Sequence, residues 1–133
     1  MKAFQDYKVF QDSHQLTLDV HEHTLAFPRH ELFALTSQMR RASSSIPMNI
    51  AEGSVKSERE FRQALKIALG SAAELEYQLM LARDLRYLAP DHHAGLTERV
   101  IEIRKMLTAF IRSIDRSLGV RPADDQRLRT NDQ

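Results

Sequence analysis

Residues 57–88 read SEREFRQALKIALGSAAELEYQLMLARDLRYL, and this stretch decides the fold class. Its apolar residues recur at alternating spacings of four and three, which places them along one face of an α-helix. The residues on this face are Phe61, Leu65, Ala68, Ala72, Leu75, Leu79 and Ala82. The stretch opens with a capping box, in which the Ser57 side chain accepts a hydrogen bond from the Glu60 amide. The pattern predicts a helix over residues 57–88 that is about 45 Å long.

Three other segments carry the same spacing and predict helices at about residues 8–26, 30–53 and 93–118. The second of these helices contains Pro47, which removes one helical hydrogen bond and clashes with the preceding turn. We therefore expect a kink near Ser43 to Ser45 rather than a break. The serines there are expected to satisfy the carbonyl that the proline leaves without a donor.

The predicted connections are only about three to six residues long, and short connections place consecutive helices antiparallel. The sequence therefore predicts an all-α fold, an antiparallel up-down-up-down four-helix bundle with a long third helix. One domain is expected over residues 1–118. Residues 119–133 lack the apolar spacing, and we expect them to form a disordered tail.

The chain has 133 residues, no cysteine, and a net charge of +1 from 19 basic and 18 acidic side chains. The absence of cysteine excludes disulfides and thiolate metal sites. The N-terminus is charged and lacks the apolar core of a signal peptide, and no segment approaches the roughly 20 apolar residues that cross a bilayer. We expect a cytoplasmic protein with no membrane partner.

A second set of uncharged residues lies on the third predicted helix, roughly opposite its core face. This set comprises Ile67, Gly70, Ala73, Tyr77 and Leu81. A glycine inside a helix costs about 0.5–1 kcal/mol relative to alanine, so Gly70 suggests that another backbone approaches closely. We interpret the set as an interface between copies of the chain. The alternative is that Gly70 is neutral and Tyr77 is an ordinary surface aromatic.

A basic stripe follows the start of the same helix, and it is the main candidate for binding nucleic acid. It consists of Lys56, Arg59, Arg62 and Lys66, and Arg40 and Arg41 precede it on the neighbouring helix. Because Arg40 and Arg41 diverge to opposite flanks, at most one of them extends the patch. Assembly of several copies would concentrate these charges and support phosphate binding. The alternative is a solvated helix face balanced by Glu58 and Glu60.

No residue pattern in the chain predicts catalysis, a cofactor or a metal site. None of the six histidines forms an i, i+4 pair with another histidine, and no glutamate is followed three residues later by histidine, as a di-iron bundle requires. Gly-rich phosphate loops and nucleophile elbows are also absent from the sequence. An enzyme would have to use carboxylates such as Glu52 and Glu76 in a concave site.

Three runs of sequence resemble one protein family over roughly residues 4–117. They are SQMRRA at residues 37–42, SIPMNIAEG at residues 45–53, and IALGS at residues 67–71 with Glu74-Leu75-Glu76 following. The chain resembles the four-helix-bundle proteins encoded in 23S rRNA intervening sequences, whose relatives include the accessory variability determinant of diversity-generating retroelements. The resemblance implies a ring-like homopentamer with a central channel. For the retroelement relatives it also implies binding to a reverse transcriptase and to nucleic acid.

Asn49 and Glu76 lie close to the core directions of their helices, so each needs a polar partner. We expect Glu76 to contact Arg41, Asn49 or a group on a neighbouring subunit, as part of a polar network that fixes helix register.

These observations favour a non-enzymatic, oligomeric scaffold or adaptor that binds RNA or DNA, or a protein that handles them, through a basic surface. The alternative function is a protein-interaction module with no nucleic-acid role.

Overall fold

This computed structural model of the protein describes residues 2–120. They form four α-helices: α1 (Lys8–Thr24), α2 (Leu35–Ser54), α3 (Glu58–Asp84) and α4 (Pro90–Leu118). Short 3-10 helices at Phe4–Asp6 and Arg29–Glu31 precede α1 and α2. No β-strand occurs among the described residues. The predicted all-α class is confirmed.

Side-chain contacts between helices show that neighbours run antiparallel. From α3 to α4, Arg62 contacts Asp115 and Glu76 contacts Arg104, so residue numbers rise on one helix as they fall on the other. The α2–α3 pair packs most extensively and the α1–α4 pair least. The up-down-up-down four-helix bundle predicted from the short connections is therefore confirmed.

The predicted apolar face of α3 forms the centre of the core. Each of its seven residues is at most 3% exposed. Leu16, Ile46, Ile50 and Leu107 from the other three helices are also completely buried. Burial of this apolar surface, worth about 25 cal/mol per Å² removed from water, is the main stabilising term of the bundle.

The N-terminus of α3 has the cap that its sequence predicts. The Ser57 side chain accepts a hydrogen bond from the Glu60 amide at 3.2 Å, and its hydroxyl donates to the Glu60 carboxylate at 2.8 Å. This arrangement satisfies one of the amide donors that a helix start leaves without an intrahelical partner.

Close packing of α2 against α3 depends on Gly53. A Cβ atom at this position would lie 2.7 Å from the Ala64 Cβ and 2.8 Å from the Phe61 ring. Both distances are well inside van der Waals contact, so a side chain at residue 53 would push the two helices apart. Gly53 therefore fixes the separation of α2 and α3 near their shared connection.

The second helix continues from Leu35 to Ser54 through Pro47. The carbonyl that Pro47 leaves without an amide donor belongs to Ser43. The prediction that neighbouring serines satisfy it is wrong, because Thr17 on α1 donates to it at 2.9 Å. The Ser43 and Ser44 hydroxyls instead donate to the Arg40 carbonyl.

Three helix ends differ from the sequence-based bounds by three residues or more. The second helix begins at Leu35 rather than near residue 30, because the chain first forms the 3-10 helix Arg29–Glu31 after Pro28. The fourth begins at Pro90 rather than near residue 93, since proline in the first helical position sacrifices no intrahelical hydrogen bond. The third ends at Asp84, because Arg86 adopts a left-handed conformation that reverses the chain.

None of the helices in residues 2–120 is long and apolar enough to cross a membrane. The predicted disordered tail at residues 119–133 falls almost entirely outside the described residues.

Candidate nucleic-acid interface

The structure divides the four residues of the predicted stripe between different surroundings, and Arg40 and Arg41 lie apart from them on α2. Lys56 and Arg59 are exposed where α2 is followed by α3. Lys56 pairs with Glu52 at 3.0 Å. This hydrogen bond raises the pKa of Lys56, which therefore stays charged.

Two of the predicted residues are held by contacts within the bundle. Arg62 forms an ion pair with Asp115 on α4, and both side chains are only 17% exposed. The Arg40 Nε donates to the Thr24 hydroxyl at 2.9 Å, next to the end of α1. Both guanidinium groups therefore tie helices together, which differs from the solvated stripe expected from the sequence.

The strongest concentration of positive charge lies in a groove between α3 and α4, with a volume of about 740 Å³. Four cationic side chains line this basic groove: Lys66 from α3 and Arg104, Lys105 and Arg112 from α4. The other lining residues are uncharged: Leu69, Gly70, Ala73, Ile101, Thr108 and Ala109. Among the described residues, no carboxylate lines the groove.

The three α4 cations were not identified from the sequence. In the sequence, Arg104 and Lys105 are adjacent, and Arg112 follows them by eight and seven residues. These spacings place the three side chains on one face of the helix. The sequence therefore contained a signal that these three cations share one surface of α4. Their meeting with Lys66 depends on how α4 is rotated against α3, which the apolar pattern of a single helix does not specify.

Carboxylates beside the basic groove neutralise part of its charge. Glu76 accepts a hydrogen bond from Arg104 at 2.7 Å, and Glu102 lies 3.6 Å from Lys105. Arg104, whose pair with Glu76 is the closer of the two, is therefore the groove cation least suited to an external phosphate.

The predicted contact of Glu76 with Arg41 or Asn49 within one chain is wrong. Glu76 lies on the side of α3 that faces α4, whereas Asn49 lies on α2. The Asn49 amide donates instead to the Ser45 carbonyl at 2.8 Å, and the Ser45 hydroxyl bonds to Ser71 at 2.8 Å. Ser45 and Ser71 thus provide the polar link between α2 and α3.

The predicted self-association residues are mostly accessible. Ile67 is 50% exposed and Tyr77 is 57% exposed, and Gly70 and Ala73 are also exposed. Leu81 differs, because it is half-buried and packs against the core. A Cβ atom at Gly70 would meet nothing within 4 Å, so packing within the described chain does not require a glycine there.

Two further grooves differ from the basic groove in charge. The groove between α1 and α4, about 340 Å³ in volume, is lined by Asp12, Glu98 and Glu102 with Arg99 as its only cation among the described residues. The groove between α2 and α3, about 750 Å³ in volume, carries Arg41 against Glu52 and Glu74. The α3–α4 groove has four cations and no carboxylate among its described lining residues, whereas a smaller groove beside the α1–α2 connection has two cations, Arg29 and Arg40, and likewise no carboxylate.

A separate apolar surface lies where the α1–α2 and α3–α4 connections meet. The rings of Phe27 and Tyr87 join the two connections, with centres 5.5 Å apart. Burial, followed by a hydrogen bond with Glu31, raises the pKa of the Tyr87 phenol. The exposed apolar side chains on these connections are Leu25, Leu32, Phe33 and Leu85.

Together, these features define a small antiparallel four-helix bundle with a basic groove between α3 and α4. The chain belongs to the family of 23S rRNA-intervening sequence proteins, whose sequence profile matches residues 5–109. A solved structure of a protein of unknown function from the S23 ribosomal protein family of Bacteroides thetaiotaomicron is similar, with a TM-score of 0.71. It shares 26% sequence identity, and the alignment covers 78% of this chain and 95% of that one. Comparison with curated proteins gives no match.

Proposed function

We propose that this chain is a non-enzymatic adaptor that binds the phosphate backbone of RNA or DNA in the basic groove between α3 and α4. The lining of that groove carries the proposal, because it presents four cations and, within the described residues, no carboxylate. The molecule as a whole has a net charge of only +1, so bulk attraction cannot supply the binding. The attraction has to come from the local arrangement of Lys66, Lys105 and Arg112.

Binding of this kind is driven mainly by the release of counterions from the nucleic acid. Each phosphate contact with duplex DNA contributes about −0.9 to the slope of log affinity against log salt, so three contacts per copy predict a slope of about −2.7. Among the uncharged lining residues that the structure describes, only Thr108 has a side-chain hydrogen-bonding group, and a hydroxyl can donate to or accept from any base. We expect affinity to depend on salt and strand geometry more than on sequence.

The adaptor is further proposed to self-associate through the exposed side of α3. Gly70 and Ala73 let another backbone approach closely, while Ile67 and Tyr77 provide exposed apolar area. The resemblance to ring-forming relatives makes a pentamer the expected assembly. Gly70 and Ala73 also line the basic groove, so a second copy packed there would lie at the edge of the groove. Association would thereby bring several grooves together and raise avidity for one strand.

Fluorescence anisotropy with a labelled RNA and a labelled DNA duplex tests the nucleic-acid proposal. The triple variant Lys66→Glu, Lys105→Glu and Arg112→Glu should lose measurable binding while its circular dichroism stays helical. A matched control carries the same charge change at Lys2, Lys8 and Arg29, which are exposed elsewhere. Equal loss in both variants would show that only net charge matters, and unchanged affinity in the groove variant would refute the groove as the binding site.

The second candidate function is a protein-interaction module with no nucleic-acid role. The exposure of Phe33, 94% of its surface, and of Leu25, 70%, favours it, because exposed apolar clusters commonly mark protein contacts. A complex with a protein partner that survives high salt and is lost on Phe33→Ser substitution would support this alternative. Retention of nucleic-acid binding in Phe33→Ser would separate the two functions.

A further inference from the structure

Two histidines from different helices lie together at the interface between α1 and α4. His23 lies in the last turn of α1, and His92 lies in the first turn of α4. Their ring centres are 4.7 Å apart, with 56° between the ring planes. The sequence gives no sign of this pair, since the two residues are far apart in the chain and share no helical spacing.

The distance between the rings suits two ligands of one metal ion. Imidazole nitrogens bind zinc at about 2.0–2.1 Å, so two rings on a tetrahedral ion have centres roughly 5 Å apart. The observed separation is close to this value.

The surroundings of the pair contain no unbalanced cation from the helices that carry it. Asp19, one turn before His23 on α1, and Arg99, two turns after His92 on α4, neutralise each other in an ion pair. Within residues 2–120, no group of three or more metal-binding side chains forms. Water molecules would therefore occupy the remaining coordination positions of the ion. An ion held by only two protein ligands would exchange readily with solution.

We propose that His23 and His92 together bind one late first-row divalent ion, namely Cu²⁺, Ni²⁺ or Zn²⁺, and that the ion links α1 to α4. Neutral imidazole suits these ions, and their affinity for nitrogen ligands exceeds that of the earlier metals. The α1–α4 pair is the least extensively packed in the bundle. A bridging ion therefore strengthens the helix interface that is packed least extensively. It stabilises the folded chain by mass action.

Titration of the full chain with ZnCl₂ at pH 7.5, followed by calorimetry and by the melting temperature, tests the proposal. We expect one ion per chain and a melting temperature that rises with zinc concentration. Loss of an outer-shell group already costs about 10- to 100-fold in metal affinity, so His23→Asn or His92→Asn should cost at least as much. The double variant His21→Asn and His93→Asn removes two neighbouring histidines, one more than either single variant, and should bind zinc as the unaltered chain does.

Electron paramagnetic resonance of the Cu²⁺ form provides a readout that does not depend on a variant. Coupling to two imidazole nitrogens is expected in the unaltered chain and to one in either single variant. The proposal would be overturned if the His23→Asn and His92→Asn variants bound zinc as tightly as the unaltered chain, if the Cu²⁺ spectrum lacked two-nitrogen coupling, or if the chain took up no ion at all.

Discussion

The Thr17 hydroxyl on α1 lies 2.9 Å from the Ser43 carbonyl on α2, the carbonyl that Pro47 deprives of its helical donor. The same hydroxyl lies 2.9 Å from the Ser13 carbonyl one turn back, so it is shared between the two helices. A proline inside α2 is thereby tolerated, because a neighbouring helix supplies the missing donor. The carbonyl that Pro47 leaves without a donor in α2 therefore forms a hydrogen bond between α1 and α2.

Removal of this donor should destabilise the bundle. We expect Thr17→Val to lower the free energy of unfolding by about 1–3 kcal/mol, since an unsatisfied carbonyl remains at the interface. Thr17→Ser keeps the hydroxyl and should cost less. Chemical denaturation followed by circular dichroism measures both values.

A double-mutant cycle with Pro47→Ala tests the cause of that loss. Alanine restores an amide donor for the Ser43 carbonyl, so Thr17→Val should cost less in the Pro47→Ala background. An identical cost in both backgrounds would show that the Thr17 hydroxyl does not compensate for the proline.

The ends of α3 and α4 form the same hydrogen-bonded turn with different residues at its left-handed position. After α3, Arg86 has φ 65°, and the Tyr87 amide donates to the Ala82 carbonyl at 2.9 Å. After α4, Gly119 has φ 73°, and the Val120 amide donates to the Asp115 carbonyl at 2.9 Å. A side chain in this conformation costs about 1–2 kcal/mol.

Arg86→Gly should therefore stabilise the chain by about 1 kcal/mol, and Gly119→Ala should destabilise it by a similar amount. Thermal unfolding of the two variants at one pH gives the comparison. A loss of stability in Arg86→Gly would contradict the assignment of strain to this turn.

Two helical glycines make a second matched pair. Gly53→Ala should destabilise the bundle by about 1–3 kcal/mol, because the new Cβ overlaps Ala64 and Phe61. Gly70→Ala meets no atom of the described chain and should stabilise the isolated fold by about 0.5–1 kcal/mol. Denaturant titrations below the concentration at which the chain associates measure both.

The same Gly70→Ala substitution should weaken self-association if another backbone packs against α3 at this point. Sedimentation velocity over a range of protein concentrations measures the change. If the Gly70→Ala variant is more stable but associates as the unaltered chain does, Gly70 does not belong to the proposed interface.

The sequence predicts the helices and their core faces well, because each depends on a local repeat of apolar residues. The α3 face and the Ser57 cap are read from neighbouring positions, and both are present. The Thr17–Ser43 bond was missed, because its two residues belong to different helices whose relative rotation is set by the whole core.

The candidate site was predicted less completely for the same reason. The basic groove requires Lys66 and Arg112 to meet across two helices, and their meeting depends on helix register. Arg62 was assigned to a solvated surface because its partner, Asp115, lies on α4 and far along the chain. The roles of the predicted binding and interface residues remain predictions.

Native mass spectrometry on protein purified without nuclease tests the adaptor proposal most directly, because one spectrum reports subunit number and retained nucleic acid together. We predict a multimer, with a pentamer as the expected mass, that carries heterogeneous nucleic-acid adducts. The adducts should be lost in the Lys66→Glu, Lys105→Glu and Arg112→Glu variant. A bare monomer, free of nucleic acid at low salt, would contradict both the self-association and the phosphate-binding groove.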